Sequence, residues 1–364
     1  MDNKIYQIAL TMIPGLGSRS QRQLLSMSVS PEQLFQMDKS GLKEIFGSHT
    51  SIIDAIFNKT MMDRAEKELD FCIRNGIKPL FYSDKEYPQR MNHAACVDTP
   101  VLIYQQGSCD LNPEKSIAIV GTRRATENGK IITHRIVEEL CAEGVTIVSG
   151  LAYGIDTASH KASVEMHLPT VGVLGHGLDQ LYPPQNQGLA RTMLQNGALV
   201  TEYPSYTKIM PGFFPARNRI IAAMSDAVIV VEASEKGGAL ITAGIADSYH
   251  RDVFAVPGRI TDTYSKGCNN LIANNKALLF RNCKDLFYSM GWEKKNEGIQ
   301  TQMFVELNAD EQPIYDMLKA SEGMTIDEIA ANSTTSIHKI AATLLNLELS
   351  NLIICLPGKI YKAC

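Results

Sequence analysis

The chain has 364 residues, 45% hydrophobic and 20% charged, with a formal net charge of −4. That length buries a real core yet exceeds what one compact α/β domain needs, so more than one domain is expected, and no apolar run is long enough to cross a bilayer. The negative balance excludes a protein coated in positive charge, so contact with nucleic acid has to come from a local cluster of cations. The amino terminus carries no secretory pattern. The 8 cysteines are scattered singly, with neither a CxxC pair nor a Cys/His cluster at metal-ligand spacing, which points to reduced thiols, a cytoplasmic setting and no bound metal or cofactor.

Residues 1–78 read as a helical domain of short helices around Ile13-Pro-Gly-Leu-Gly17. Followed by Ser18-Arg-Ser-Gln-Arg-Gln-Leu-Leu25, this looks like a helix-hairpin-helix turn, whose glycines bring backbone N–H groups near a phosphate; a plain helical hairpin fits the same residues. A weaker second copy is expected around Gly41 to Gly47.

Residues 79–290 read as an α/β domain. The strand Ser116-Ile-Ala-Ile-Val120 ends in Gly121 and then delivers Thr122, Arg123 and Arg124. Further apolar runs lie at 145–148, 170–174, 198–201, 227–231 and 252–256, with helical patterns between them. The stripe Ile131, Ile132, Ile136, Val137, Leu140 predicts a crossover helix, and so a doubly wound parallel sheet. Such a sheet binds ligands at the carboxyl ends of its strands, so two guanidiniums there suggest a phosphate. The Gly-Thr-Arg-Arg turn is not a dinucleotide fingerprint, Ser149 stands where a ribose-binding acid is expected, and no GxxxxGK[ST] occurs, which argues against NAD and against a nucleotide-driven motor.

Two more segments belong at that edge. Phe213-Phe-Pro-Ala-Arg-Asn-Arg219 opens a helix, and Glu232-Ala-Ser-Glu-Lys-Gly-Gly238 follows a buried strand. Arg123, Arg124, Arg217, Arg219 and Lys236 are therefore expected on one rim, a cradle for a polyanion; internal ion pairs from Arg217 or Arg219 to Glu202 or Glu232 are the structural alternative. Phe213, Phe214 and Tyr182 either stack on unpaired bases or serve as core and lid. Asp156 and His160 share a helical face without a nucleophile, so they are read as structural, and Cys268 as a buried helix-start thiol.

The polar stretch Gly291 to Met303 reads as a linker, and residues 304–364 have the order of a winged helix with Ser336 as an amino cap. Its candidate recognition helix offers only His338 and Lys339 near its start. That is poor provision for a major groove, so it is expected to contact protein or to bind DNA weakly.

In order, Ile117-Ala-Ile-Val-Gly-Thr-Arg-Arg, Ser149-Gly-Leu-Ala-Tyr-Gly-Ile-Asp156, Gly177-Leu-Asp-Gln-Leu-Tyr-Pro-Pro184, Phe214-Pro-Ala-Arg-Asn-Arg-Ile-Ile-Ala222, Glu232-Ala-Ser-Glu-Lys-Gly-Gly-Ala-Leu-Ile-Thr242 and Val256-Pro-Gly258 with Ser265-Lys-Gly-Cys-Asn269 resemble the DprA/Smf DNA-processing proteins. The resemblance runs from about Tyr87-Pro88 to Leu279. It implies a Rossmann-like central domain between a SAM-like helical domain and the winged helix. It also implies a binder of single-stranded DNA that passes the strand to RecA in natural transformation, without known catalysis and in the company of single-stranded DNA-binding protein. Carried onto this sequence, it makes Arg123 the main phosphate anchor with Thr122 and Arg124 beside it, Phe214, Arg217, Asn218 and Arg219 a second wall, and Lys236 a further cation. Gly150, Gly175, Gly177, Gly237 and Gly238 become points of close approach. The segment holding Asn269, Asn270, Leu278 and Leu279 is implicated in a homodimer contact, the two leucines being equally readable as a last core strand. Family members often carry a lysine after the Tyr-Pro pair, absent here after Tyr182-Pro183; Arg191, the nearest cation, either replaces it or leaves one charge fewer. Two other readings are a nucleotide-processing, phosphoribohydrolase-like enzyme using Glu232 and Glu235, and a duplex-specific regulator acting through the winged helix.

Overall fold

The computed structural model describes residues 3–292, 307, 308, 310–321, 323–333, 335–350, 352–356 and 359–363. Two compact units result, Met1–Gly291 and Trp292–Cys364. Most of the expected linker, residues 293–303, lies outside the described residues, as do 304–306.

The first unit begins with α1 (Asn3–Thr11), α2 (Ser18–Ser26), α3 (Pro31–Gln36), α4 (Lys39–Phe46), α5 (Thr50–Phe57) and α6 (Met62–Arg74). Local chemistry sets their ends. Gly15, at φ +82°, turns the chain between α1 and α2, and Ser30 and Gln33 close a capping box at α3. Gly41 is not a turn glycine: it sits inside α4, its N–H bonded to the Asp38 cap, and Gly47 ends the helix instead. The helices bury Ile8, Leu10, Leu34, Leu42 and Ile56 in one cluster with Ile77, Phe81, Val101, Leu102 and Tyr104.

Those last five belong to or flank β1 (Ile77–Phe81) and β2 (Leu102–Gly107), an antiparallel pair the sequence reading did not assign to strands. The remaining strands are β3 (Ser116–Val120), β4 (Thr146–Ser149), β5 (Thr170–Val173), β6 (Ala198–Thr201), β7 (Ala227–Val230), β8 (Asp252–Ala255) and β9 (Leu278–Leu279). Interleaved are α7 (Glu127–Cys141), α8 (Ile155–Glu165), α9 (Gln187–Met193), α10 (Phe213–Ala223), α11 (Gly238–Ser248), α12 (Lys266–Ala273) and α13 (Cys283–Ser289). The nine-stranded sheet runs β1-β2-β6-β5-β4-β3-β7-β8-β9, parallel from β6 to β9. β3 to β7 are buried at every position because helices cover both faces, which is why they read as mostly apolar runs. In α7, Ile136, Val137 and Leu140 face the core, whereas Ile131 is exposed.

The chain steps outward from β3 through β4 and β5 to β6, then crosses back to lay β7 on the other side of β3. The loops leaving β3 and β7 therefore head in opposite directions and open a crevice at the carboxyl edge. β9 is an edge strand whose leucines are 50% and 43% exposed, neither core nor covered.

Arg22 ties the helices to the sheet domain. Its Nε donates to Thr99 O (2.7 Å), Nη1 to Asn92 Oδ1 (3.3 Å), and Nη2 to Tyr87 Oη (3.1 Å) and Met91 O (3.2 Å). Tyr87, fully buried, donates in turn to Pro100 O.

The second unit contains α14 (Gln312–Lys319), β10 (Met324–Thr325), α15 (Ile326–Ala331), α16 (Ile337–Leu349), β11 (Ile353–Leu356) and β12 (Ile360–Ala363), its sheet ordered β10-β12-β11. This is a winged helix around Ile314, Leu318, Ile329, Ile340, Leu344, Leu347 and Ile353. Ser336 occupies the cap position of α16 without a side-chain bond; the capping box is made at α15 by Thr325 and Glu328. The outer side of α16 carries exposed Ile337 and Leu345 beside His338 and Lys339.

Replacing Arg22 by Met, which keeps the aliphatic stem but leaves several carbonyls without their donor, is expected to cost about 2–3 kcal/mol. Urea unfolding checks this, and an unchanged midpoint would show that the guanidinium is not the tie.

Candidate nucleic-acid interface

The turn after β3 is held from below. Thr122 N donates to Glu232 O (2.7 Å) beside β7, and Thr122 O accepts from Ile155 N (3.2 Å) at the start of α8. The loop between β4 and α8 reaches this position through two left-handed residues, Leu151 (φ +54°) and Gly154 (φ +79°). A Cβ on Gly154 would overlap Thr122 O and the backbone of Arg123, so the loop seats against the Arg123 turn only with glycine there. Arg123 is exposed, and its guanidinium lies over the Phe214 ring, 5.8 Å from the centroid, a contact that favours this orientation of the cation.

Arg217 lies beneath, only 4% exposed. Its Nη1 donates to Gly150 O and Val173 O, the carbonyls at the ends of β4 and β5, and its Nε to Phe214 O (3.4 Å). Burial pushes its pKa down to about 10; Asp156 works against that fall and the nearby Arg123 charge adds to it. Burial likewise raises the Asp156 carboxyl, with Arg217 and hydrogen bonds from the 149–152 turn opposing. His160 completes this layer. Thr170 Oγ1 donates to Ile147 O (3.1 Å), so its contact with His160 Nδ1 (2.7 Å) makes Nδ1 the protonated nitrogen, and Nε2 finds no hydrogen-bond partner among the described residues. The ring is neutral, with its pKa driven to about 3 by burial and then by Arg217.

Over this floor opens a cleft of about 710 Å³ bounded by the Arg123 turn, the start of α10 and the Lys236-Gly237-Gly238 loop into α11. Arg123 and Lys236 are exposed cations on its rim, with Arg124 exposed just outside. The nearby acids are held unequally, and Glu235 is exposed on the cleft wall. Glu232 accepts from Thr126 N (2.9 Å) and Thr126 Oγ1 (2.5 Å) at the cap of α7, and Glu235 pairs with Lys266 (3.5 Å). A smaller recess adjoins the cleft, lined by Tyr153, Tyr182, Pro183, Gly175 and Phe214. Tyr182 is 46% exposed with its ring 5.5 Å from Phe214, while Phe213 stacks inward on Tyr203 at 4.3 Å. Tyr153, exposed in the loop after β4, was not singled out from sequence; its place in the Ser149 to Asp156 motif was the available signal.

Several expected site residues face elsewhere. Arg219 does not reach the cradle: it holds Glu202 through two bonds (2.5 and 2.6 Å) and Asp98 O (2.9 Å), the ion-pair alternative noted above. Being two residues from Arg217 puts it on another side of α10. Arg191 lines a 250 Å³ groove with Asp179, Gln180 and Gln187, which shares Leu174 with the recess beside the cleft. Asn218 is buried and donates to Gly238 O (3.2 Å), bracing the two walls together. The space a Cβ would fill is taken at Gly150 by Arg217, at Gly175 by Phe213 and Phe214, and at Gly177 by Asp179 and Pro204; Gly237 is open. Asn269 is occupied in clasping Gly258, accepting from its N (3.1 Å) and donating to its O (3.0 Å), whereas Asn270 is exposed. Cys268 is buried, its thiol pushed up to about 12 by burial.

With this geometry in view, the chain matches the family described as DNA recombination-mediator protein A over residues 78–291, and the DprA winged helix domain over 305–359. It is 30% identical to Protein Smf of Synechocystis sp. over 391 aligned positions, covering 98% of each chain. Among solved structures, DNA processing protein A of Streptococcus pneumoniae superposes with TM-score 0.68 at 31% identity, covering 78% of this chain and 97% of that one. DNA processing protein A of Helicobacter pylori, solved to describe its single-stranded DNA binding mode, gives TM-score 0.53 at 28% identity, covering 59% and 96%.

Because the folded His160 titrates near 3 rather than 6.5, the unfolded chain alone takes up its proton between those values. Stability therefore falls as pH drops through that window, by about 1.4 kcal/mol per pH unit. His160→Asn keeps a donor for Thr170, and its urea midpoints should show a flatter fall from pH 6.5 to 5 than the parent; identical slopes would place the histidine outside this account.

Proposed function

The chain belongs to the DprA/Smf family of DNA recombination mediators, and from that premise we propose that its central cleft holds single-stranded DNA by the phosphate backbone, without strong sequence preference. One observation carries the reading: Arg123, exposed and resting on Phe214 at the switch point, stands with Lys236 over a cleft beside which Glu232 is bonded to the cap of α7 and Glu235 is paired with Lys266. A guanidinium presents paired donors to a phosphate, and every base presents the same phosphate. Phe214 and Tyr182 supply apolar faces on which an unpaired base can stack.

The strand so held is offered to RecA, with single-stranded DNA-binding protein competing for it, in recombination and natural transformation; family membership supports this step. The protein acts by binding. The enzyme alternative is weakened because Glu232 is bonded at the cap of α7; Glu235, exposed on the cleft wall beside Lys266, is the carboxylate it would have to use. A homodimer through β9 is part of the same reading. Leu278 and Leu279 expose apolar surface at the end of the sheet, with Ile260 also exposed, and joining two copies would place two clefts on one strand.

Arg123→Glu is expected to abolish retention of a labelled oligonucleotide in a gel shift while leaving the thermal melt unchanged, because the side chain is exposed and bonded to nothing in the core. Unaltered retention would refute the site. Single-stranded oligonucleotide should also bind tighter than duplex across a salt series. For the dimer, Leu279→Arg should halve the sedimenting mass without loss of folded signal; an unchanged mass would move the contact elsewhere.

A further inference from the structure

We propose that a strand held in the central cleft continues past Pro215 into a second groove, where Arg19 of the helical hairpin takes one of its phosphates. This extends the binding reading above and rests on it.

The second groove has a volume of about 500 Å³, with Ser18, Arg19 and Ser20 on one side and Pro215, Ala216 and Ile245 on the other. Pro215 lines both it and the central cleft, so the two spaces meet at the first turn of α10, next to Phe214. A backbone lying across Arg123 and the Phe214 ring and continuing over Pro215 enters the second groove.

The hairpin is fixed against that helix. Arg219 Nη2 donates to Ser18 Oγ (3.3 Å) while its other nitrogens hold Glu202 and Asp98 O, so the two sides of the groove are kept in register. The charges facing the groove favour an anion. Glu202 is consumed by Arg219, and the Asp98 carboxylate accepts from Tyr249 Oη. Arg19 is exposed and makes no hydrogen bond or ion pair with a described residue. At Gly17 a side chain would meet nothing within 4 Å, so the hairpin surface beside Arg19 is open. The hydroxyls of Ser18 and Ser20 add neutral donors of the kind that position a phosphate without reading sequence.

The test compares oligothymidylates of about 4 and about 16 nucleotides, lengths that span the usual site size of a single-strand groove. With Arg19→Ala, the longer oligonucleotide should bind several-fold more weakly, and the slope of log K against log salt should shrink by about 0.7, one phosphate contact on a single strand. The shorter one, confined to the central cleft, should bind as before. Equal weakening of both lengths would overturn the proposal, because it would mean a general field and not a contact; so would no effect on either. Arg123→Glu run in parallel separates the two readings. Loss of both lengths there, with Arg19→Ala silent, would leave the central cleft standing and remove only its extension.

Discussion

The site depends on a guanidinium taken out of water. Burying a charge is costly unless hydrogen bonds replace its hydration. Arg217 meets that requirement with the carbonyls of Gly150 and Val173, acceptors that lie just where β4 and β5 run out of ladder partners. Each solves the other's deficit, and the result pins α10 across the ends of two strands. Phe214 is carried on that helix and Arg123 rests on Phe214, so the exposed anchor inherits its position from the buried one. The two charges also repel, which is one reason Arg217 holds its proton less tightly than an arginine in water. An anion settling near Arg123 relieves that repulsion.

A chain with net charge −4 presents a cationic cleft because its acids are spent on bracing. Glu232 caps α7, Glu235 meets Lys266, Glu202 clamps Arg219, and Asp156 sits below the floor with a raised pKa. Glu232 and Glu202 thus stiffen the frame that displays the cations, while Glu235 remains exposed on the cleft wall. The same motif supplies both roles: in Glu232 to Gly238 the first acid holds the cap of α7, while Lys236 lines the cleft.

Sequence alone made the central domain legible because a strand covered on both faces is buried along its length and so reads as a mostly apolar run, as β3 to β7 do. It did not reveal β1 and β2: Ile77-Lys-Pro-Leu-Phe81 mixes a lysine and a proline into a short run, and Leu102 to Gly107 ends in two glutamines and a glycine. Arg123 could be placed because its position follows from strand polarity. Arg217 and Arg219 could be separated only by helix geometry, two residues being roughly half a turn, and then only once it was known which side of α10 meets the sheet. The glycines misled for a related reason: close approach was correctly inferred, but at Gly150, Gly175 and Gly177 what approaches is the protein itself. Arg191 depends on the direction of α9, which no local pattern encodes.

The two rims of the sheet are unlike. β1 carries Pro79, which has no N–H to offer, and α6 packs against that strand, whereas β9 is two residues long and uncovered. A sheet blunted on one flank and open for a single short step on the other offers an incoming strand little to pair with. One short unpaired edge in place of two is a poor template for open-ended strand addition.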